Sequence, residues 1–125
     1  MSKVALLIEN VGSARAKVAA ALYKYLNLGL GQVTRAIDQG EPIFERPLFP
    51  REDPHFANQL LTVLESLDAL DIRYTAYELL DDQNFKDENP NGLYKITIDG
   101  LRQLIASRDK SIEQLRRHID QEEVD

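Results

Sequence analysis

The sequence predicts a small α+β protein, in which a three-stranded sheet is covered by helices and a further helix follows. Two stretches, residues 3–10 and 72–80, have the apolar, β-branched or aromatic composition of strands. Between them, apolar residues recur at the spacing of amphipathic helices, and from residue 101 they recur every three or four residues. We therefore expect the order β-α-α-β-α-β, with an added C-terminal helix.

The composition bounds the architecture. At 125 residues, with 43% hydrophobic and 29% charged residues, the chain is long enough for one compact domain with an appendage. The absence of cysteine excludes disulfides and thiolate zinc sites. No apolar run approaches the roughly 20 residues of a membrane span, and the first apolar run is too short for a secretory signal. We therefore expect a cytoplasmic protein without a membrane segment.

The first strand and the first helix are marked by the residues between them. Residues 3–10 form a nearly continuous apolar run, after which Gly12 and Ser13 supply a turn and a helix N-cap. Val18 and Leu22 then begin an apolar stripe with helical spacing. We predict that a helix capped by Ser13 follows the first strand.

A tight corner separates the first helix from a second one. Asn27 and Gly29 adopt positive φ at low cost, which lets the chain turn before Leu30 and Val33 resume a helical pattern. A single continuous helix would contain interior glycines, each of which costs about 1 kcal/mol relative to alanine. We therefore predict two helices, the second of which ends at Gly40.

The middle of the chain contains a weak strand, a helix and a stronger strand. Residues 41–50 include three prolines, which cannot donate to a sheet, so they form at most a short edge strand. Asp53 is placed to cap a third helix with Pro54 in its first turn, and this helix runs to about residue 68. Residues 72–80 alternate in polarity and form a further strand.

The domain division follows from a polar, acidic stretch. Residues 81–93 are rich in Asp and Asn and include Pro90 and Gly92, so we expect a linker or loop there. We assign residues 1–80 to one α+β domain and residues 94–125 to a C-terminal amphipathic helix. Residues 93–98 also have the composition of a brief strand.

The C-terminal helix carries an apolar repeat of the coiled-coil type. The spacing alternates between three and four residues over about three heptads, and Arg108 occupies the one position of the repeat that should be apolar. Two interpretations stay open, since the helix either packs back on the domain or associates with a second copy. The residues predicted for self-association are Leu101, Ile105, Ile112, Leu115 and Ile119.

Charge is distributed unevenly along the chain. A net charge of -6 and a pI near 4.9 oppose nonspecific binding of nucleic acid. Residues 13–37 nevertheless contain four cationic residues and no acid, whereas acidic residues concentrate in residues 81–88 and 122–125. The predicted helix pair is therefore a locally basic region of an acidic protein.

The sequence contains no catalytic or metal-binding signature. There is no nucleophile elbow and no phosphate-binding loop of the Walker type. Residues 29–31, Gly-Leu-Gly, lie between helices, whereas a dinucleotide-binding fingerprint follows a strand. His55 and His118 are isolated from each other and from any cysteine. We therefore expect a protein that is not an enzyme, with no catalytic residues, no metal and no cofactor.

The helix pair and its surroundings resemble a known family. Residues 28–30, Leu-Gly-Leu, stand between two short helices, with a strand before them and a leucine-rich helix leading into residues 72–80. This arrangement is similar to the C-terminal domain of the bacterial ribosomal stalk protein, and the resemblance covers residues 3–80. It implies that the first two helices dock another protein, which in that family is a translational GTPase.

The Clp protease adaptor, which captures protein N-termini, is similar in architecture. Residues 6–10, Leu-Leu-Ile-Glu-Asn, loosely resemble that family's first strand and the turn after it, where Asn10 matches. This second resemblance implies the same scaffold and again a protein partner.

We predict a non-enzymatic module that docks a partner protein through its first two helices and uses its C-terminal helix for self-association or a second contact. The predicted partner-binding residues are Arg15, Val18, Ala19, Lys24, Gly29, Leu30 and Arg35. The alternative is a small acidic inhibitor or immunity-type protein that neutralises a basic partner through residues 81–88.

Overall fold

The protein folds as a mixture of helices and antiparallel sheet, as the sequence predicts. A computed structural model describes residues 2–9 and 11–124, with side chains described as far as residue 115. The helices and strands are β1 (Ser2–Ile8), α1 (Arg15–Leu26), α2 (Leu30–Gln39), β2 (Phe44–Pro47), α3 (Phe56–Ala69), β3 (Tyr74–Leu80), β4 (Tyr94–Ile96) and α4 (Ile98–Val124). Within the described residues the sheet has four strands instead of the three predicted, because β4 pairs with β3.

Each strand of the sheet is antiparallel to its neighbours, in the order β2-β1-β3-β4. β1 and β3 pair along their whole length and form the centre. The outer strands are short, and each carries a residue that discourages further pairing. Pro47 in β2 has no N–H group, and Lys95 in β4 places an exposed cation on the other edge.

One face of the sheet packs against the helices and forms the main core. Val4, Leu6 and Ile8 are alternate residues of β1 and lie on this face, as expected from the period of two in a strand. The fully buried residues that α1 and α3 pack against them are Val18, Leu22, Leu60, Val63, Leu64 and Leu67. The apolar spacing in the sequence is thus the spacing of the core contacts.

The other face of the sheet, which we call the back face, has a small apolar cluster of its own. Ala5, Tyr77 and Leu79 are buried there, and Phe85 and Leu93 pack over them. The ring centroids of Tyr77 and Phe85 are 5.2 Å apart. The segment between β3 and β4 therefore covers part of this face.

Polar contacts fasten this covering segment to the sheet. The Lys3 ammonium donates to Glu45 Oε2 at 3.1 Å. It also donates to the Gln83 carbonyl oxygen. The other carboxylate oxygen of Glu45 accepts a hydrogen bond from the Phe85 N–H at 2.9 Å. Residues of β1 and β2 therefore hold in place the chain that follows β3.

Two predicted helix caps are wrong. α1 follows a 3-10 turn at Gly12–Ala14 and has no side-chain cap, so Ser13 does not cap it. α3 begins at Phe56, whose N–H donates to the Asp53 carbonyl oxygen at 3.2 Å. The Asp53 carboxylate instead contacts the Arg46 guanidinium of β2 at 3.5 Å. Both helices therefore start from backbone turns, which leave no role for a capping side chain.

An asparagine makes the corner between α1 and α2. Asn27 is left-handed, with φ of 56°, and its N–H donates to the Tyr23 carbonyl oxygen at 2.9 Å. Gly29 has φ of -66° and ψ of 142°, so the prediction that it adopts positive φ is wrong. One left-handed residue is enough to separate the helices, and the predicted break is confirmed. Gly40, with φ of 67°, ends α2 as predicted.

α4 runs antiparallel to α3 and contributes to the core near its start. Leu101 is fully buried. The Arg102 guanidinium contacts the Glu65 carboxylate of α3 at 3.6 Å. Farther along α4, Ile112 lines a cavity of about 240 Å³ together with Ala57, near the start of α3. The two helices therefore lie side by side over the length of α3, and α4 continues beyond it.

Candidate partner-binding surface

α1 and α2 form an antiparallel helical hairpin over the main core. The Arg15 guanidinium contacts Asp38 Oδ1 at 2.7 Å, which joins the start of α1 to the end of α2. The predicted partner-binding residues Val18 and Ala19 are 0% and 1% exposed. These two side chains anchor α1 to the core, so the surface available to a partner consists of their exposed neighbours.

The corner surface, as we call it, consists of exposed residues at the connection between α1 and α2 together with Arg35, which lies farther along α2. Its members are Tyr23, Lys24, Gly29, Leu30, Gly31 and Arg35. Tyr23 and Leu30, on either side of the connection, are 63% and 64% exposed. Large apolar side chains exposed among polar residues are candidates for protein interaction sites.

Two members of the corner surface, Tyr23 and Gly31, are missing from the residues predicted from sequence. Successive helical residues are about 100° apart, so Tyr23 points away from the core that buries Leu22. The signal for Tyr23 was an aromatic residue that falls outside the buried stripe of its helix. For Gly31 the signal was a glycine within a helix, where the backbone conformation does not require glycine.

The corner surface is basic. Asp38 is the sole acidic residue of α1 and α2, and Arg15 engages it. Lys17, Lys24 and Arg35 are exposed, and within the described part of the chain none of them has a carboxylate at ion-pair distance. On a chain of net charge -6, this surface therefore attracts acidic groups.

Two glycines leave the backbone accessible at the start of α2. A Cβ added to Gly29 or Gly31 would meet nothing within 4 Å, and neither residue has positive φ. The fold therefore does not require glycine at either position. Inside a helix, glycine at Gly31 costs about 1 kcal/mol relative to alanine. The two glycines instead allow another molecule to approach the backbone closely.

An open groove of about 890 Å³ lies away from the corner surface, between the end of α3, the start of β3, β4 and the start of α4. Burial, followed by the nearby Asp68 carboxylate that accepts its hydrogen bond, raises the pKa of Tyr74 in this groove to about 12. The phenol is therefore protonated at neutral pH. Among the described residues, no group of three or more His, Cys, Asp or Glu residues is arranged to hold a metal ion.

The residues predicted for self-association fall into two groups. Leu101 is fully buried in the core, and the partly buried Ile105 packs against it, as the packing-back interpretation predicts. Ile112 and Leu115 are 41% and 61% exposed. Ile119 lies outside the residues whose side chains are described.

The acidic segment of the sequence lies on the back face. Asp82 and Asp87 are exposed on the segment that covers this face. The sheet separates them from the hairpin of α1 and α2. The basic and acidic regions of the protein therefore lie on opposite sides of the sheet.

Comparisons with known proteins identify no relative. No family model, no curated protein and no solved structure matches the chain. Within the described residues, no helix combines the length and the apolar character needed to cross a membrane. The likeness to the stalk domain and to the Clp adaptor stays a prediction, and the functional argument rests on the residues of this chain.

Proposed function

We propose that this protein is a non-enzymatic interaction module, similar to the ribosomal stalk domain or the Clp adaptor, that docks a partner protein through the corner surface. One observation carries the proposal. Tyr23 near the end of α1 and Leu30 at the start of α2, two large apolar side chains, are 63% and 64% exposed in the basic region of an acidic protein. Exposed apolar groups with a charged rim form the usual centre and edge of a protein interface.

Each part of the corner surface has a distinct role in this proposal. Tyr23 supplies contact area at a low cost in side-chain entropy, as tyrosine does at the centres of many interfaces. Lys24 and Arg35 attract the acidic rim of the partner and accelerate association. Gly29 and Gly31 let the partner approach the backbone. The partner is therefore expected to present an apolar recess flanked by acidic residues.

The test compares two doubly substituted proteins of equal charge. Lys24→Glu with Arg35→Glu reverses the charge of the corner surface. Lys86→Glu with Lys95→Glu makes the same change at exposed positions away from it. Proteins captured from a cell extract by the unsubstituted chain are identified by mass spectrometry, and direct binding of the strongest is measured at several salt concentrations.

We expect the affinity of the corner variant for the partner to be about tenfold lower, or lower still, while the control variant keeps the affinity of the unsubstituted chain. Binding by the unsubstituted chain is also expected to weaken as salt is added, because screening reduces the attraction between the cations and the partner. Identical partner sets for the corner variant and the unsubstituted protein would contradict the proposal.

A second candidate function, an acidic inhibitor, is supported by a different region. Asp82 and Asp87 are exposed, and the neighbouring Leu80 is a large apolar side chain that is 62% exposed. If Asp82→Asn with Asp87→Asn abolishes capture of a basic protein and the corner variant does not, the inhibitor function is favoured over docking at the corner surface.

A further inference from the structure

The segment between β3 and β4 contains the one Asn-Gly dipeptide of the chain, at Asn91 and Gly92. Glycine has no Cβ, so the side chain of the preceding asparagine can reach the glycine backbone nitrogen without steric hindrance. Asn91 is therefore the asparagine with the freest access to the next peptide group. The five other asparagines each precede a larger residue or a proline, and they are Asn10, Asn27, Asn58, Asn84 and Asn89.

Asn91 lies in a short surface turn that Asn89 holds. The turn is a 3-10 turn of 3 residues, Pro90–Gly92, and both Asn91 and Gly92 are exposed. The Asn91 N–H donates to Asn89 Oδ1 at 3.1 Å, and the Gly92 N–H donates to the Asn89 carbonyl oxygen at 2.9 Å. Exposed turns open locally at a low cost in free energy, so the Gly92 nitrogen leaves its acceptor part of the time.

The space around Gly92 is open. A Cβ added to this residue would meet nothing within 4 Å, and its φ is not positive. No neighbouring group therefore blocks the approach of the Asn91 side chain to the Gly92 nitrogen. For the same reason, alanine can replace Gly92 without strain in the backbone.

We propose that Asn91 is a site of spontaneous modification, at which deamidation converts its side-chain amide into a carboxylate. The Gly92 nitrogen loses its proton and bonds to Asn91 Cγ, and the side-chain amide nitrogen leaves as ammonia. Water then opens the resulting five-membered imide ring at one of its two carbonyl carbons. One opening gives aspartate, and the other gives isoaspartate, whose main chain runs through the former side-chain carbon. This inference does not depend on the proposed function.

Asn84 provides a comparison within the same segment. It is also exposed, but Phe85 follows it, and the Phe85 N–H donates to Glu45 Oε1 at 2.9 Å. A hydrogen bond to a carboxylate is stronger than one to a neutral carbonyl, such as the bond that holds the Gly92 N–H. The negative charge of Glu45 also opposes loss of the Phe85 amide proton. We therefore expect Asn84 to convert more slowly than Asn91.

Conversion of Asn91 changes the covering segment in two ways. It adds a negative charge to a part of the chain that is already acidic. Isoaspartate also adds a methylene group to the main chain just before Leu93, which packs over the apolar cluster of the back face. A longer main chain displaces Leu93 from this cluster, so we expect the isoaspartate form to unfold at a lower urea concentration.

Incubation of the full chain at mildly alkaline pH, followed by digestion with trypsin and mass spectrometry, tests the proposal. Trypsin cuts after Lys86 and Lys95, so Asn91 lies in the peptide 87–95 and Asn84 lies in a different one. Replacement of the amide NH₂ by OH raises the mass of the peptide. Synthetic forms of peptide 87–95 with aspartate or isoaspartate in place of Asn91 identify the two products. We expect this peptide to convert before any other peptide that contains asparagine.

Two variants test the roles of the neighbours of Asn91. Gly92→Ala should slow conversion severalfold, because its Cβ hinders closure of the ring. Asn89→Ala removes the Oδ1 acceptor that caps the turn, which makes opening up to about fivefold more frequent, and conversion should speed up by the same factor. Circular dichroism checks that both variants keep the helical content of the unsubstituted chain.

The proposal is overturned if peptide 87–95 of the folded protein is still unconverted when the same peptide of the urea-unfolded protein has converted. It is also overturned if another asparagine converts first, or if Gly92→Ala converts as fast as the unsubstituted chain. An unchanged rate in Asn89→Ala would overturn the inference that the turn controls the reaction.

Discussion

The corner surface and the apolar stripe of α4 formed by Leu104, Ile112 and Leu115 both expose large apolar side chains, but they differ in their charges. Lys24 and Arg35 give the corner surface a single sign of charge, and Gly29 and Gly31 open its backbone. The stripe of α4 has helical periodicity, and Arg108 at its centre lies over the Phe49 ring of the same chain. The comparison teaches that solvent-facing cations of one sign suit an unlike partner, whereas a stripe whose cation is held against its own chain belongs in part to the packing of the fold.

The largest expected effect tests whether the start of α4 is packed more tightly on the protein than its later part. Leu101→Ala should lower the free energy of unfolding by about 2–5 kcal/mol, because it removes a fully buried leucine from the core. Leu115→Ala, at a position that is 61% exposed, should change it by less than about 0.5 kcal/mol in the monomer.

Urea denaturation at a low protein concentration, followed by circular dichroism, measures both changes. Similar losses in the free energy of unfolding for Leu101→Ala and Leu115→Ala would mean that α4 packs equally tightly on the rest of the protein at both positions. The side chain of Leu115 would then belong to the core.

A smaller effect of opposite sign is expected at the corner surface. Gly31→Ala should raise the free energy of unfolding by about 1 kcal/mol, since alanine is the better helix former and its Cβ meets no neighbour within 4 Å. Partner affinity should fall in the same variant, because the methyl group limits approach to the backbone. Gly40→Ala is the control, and its positive φ of 67° predicts destabilisation. A Gly31→Ala protein that is stabilised and binds its partner normally would remove Gly31 from the corner surface.

The last effect appears only at high pH and concerns the groove at the start of α4. The pKa of Tyr74 rises from 10.0 to about 12 on folding, so the folded state favours the protonated phenol. The stability that this group contributes is complete below about pH 10 and is lost as the pH rises through about 12. The urea midpoint of the unsubstituted protein should therefore fall more steeply over this range than that of Tyr74→Phe. Parallel pH curves would mean that Tyr74 titrates alike in the folded and unfolded states.

The elements that the sequence predicts well are those governed by local spacing. The apolar runs of β1 and β3, the helical stripe of α3 and the turn at Asn27 each depend on a few neighbouring residues. The two cap predictions failed because Ser13 and Asp53 have the right residue type, but backbone turns start the helices instead. Residue propensities identified the start of each helix to within a few residues, but they did not identify the backbone hydrogen bonds that begin it.

The features that the sequence could not predict depend on contacts between distant residues. β4 joins the sheet by pairing with β3, and the contacts among Lys3, Glu45 and Phe85 hold the segment that covers the back face. No local pattern specifies either meeting. At the candidate site, burial could be predicted from the helical spacing. Val18 lies on the apolar stripe of α1 and is buried, whereas Lys24 lies off that stripe and is exposed.

The blunt outer strands have a consequence for the behaviour of the protein at high concentration. A sheet edge with free hydrogen-bonding groups can recruit further strands and grow into fibrils. Here Pro47 interrupts donation along one edge, and the solvated ammonium of Lys95 resists burial at the other. The fold is thereby protected against amyloid-like growth, even in concentrated solution.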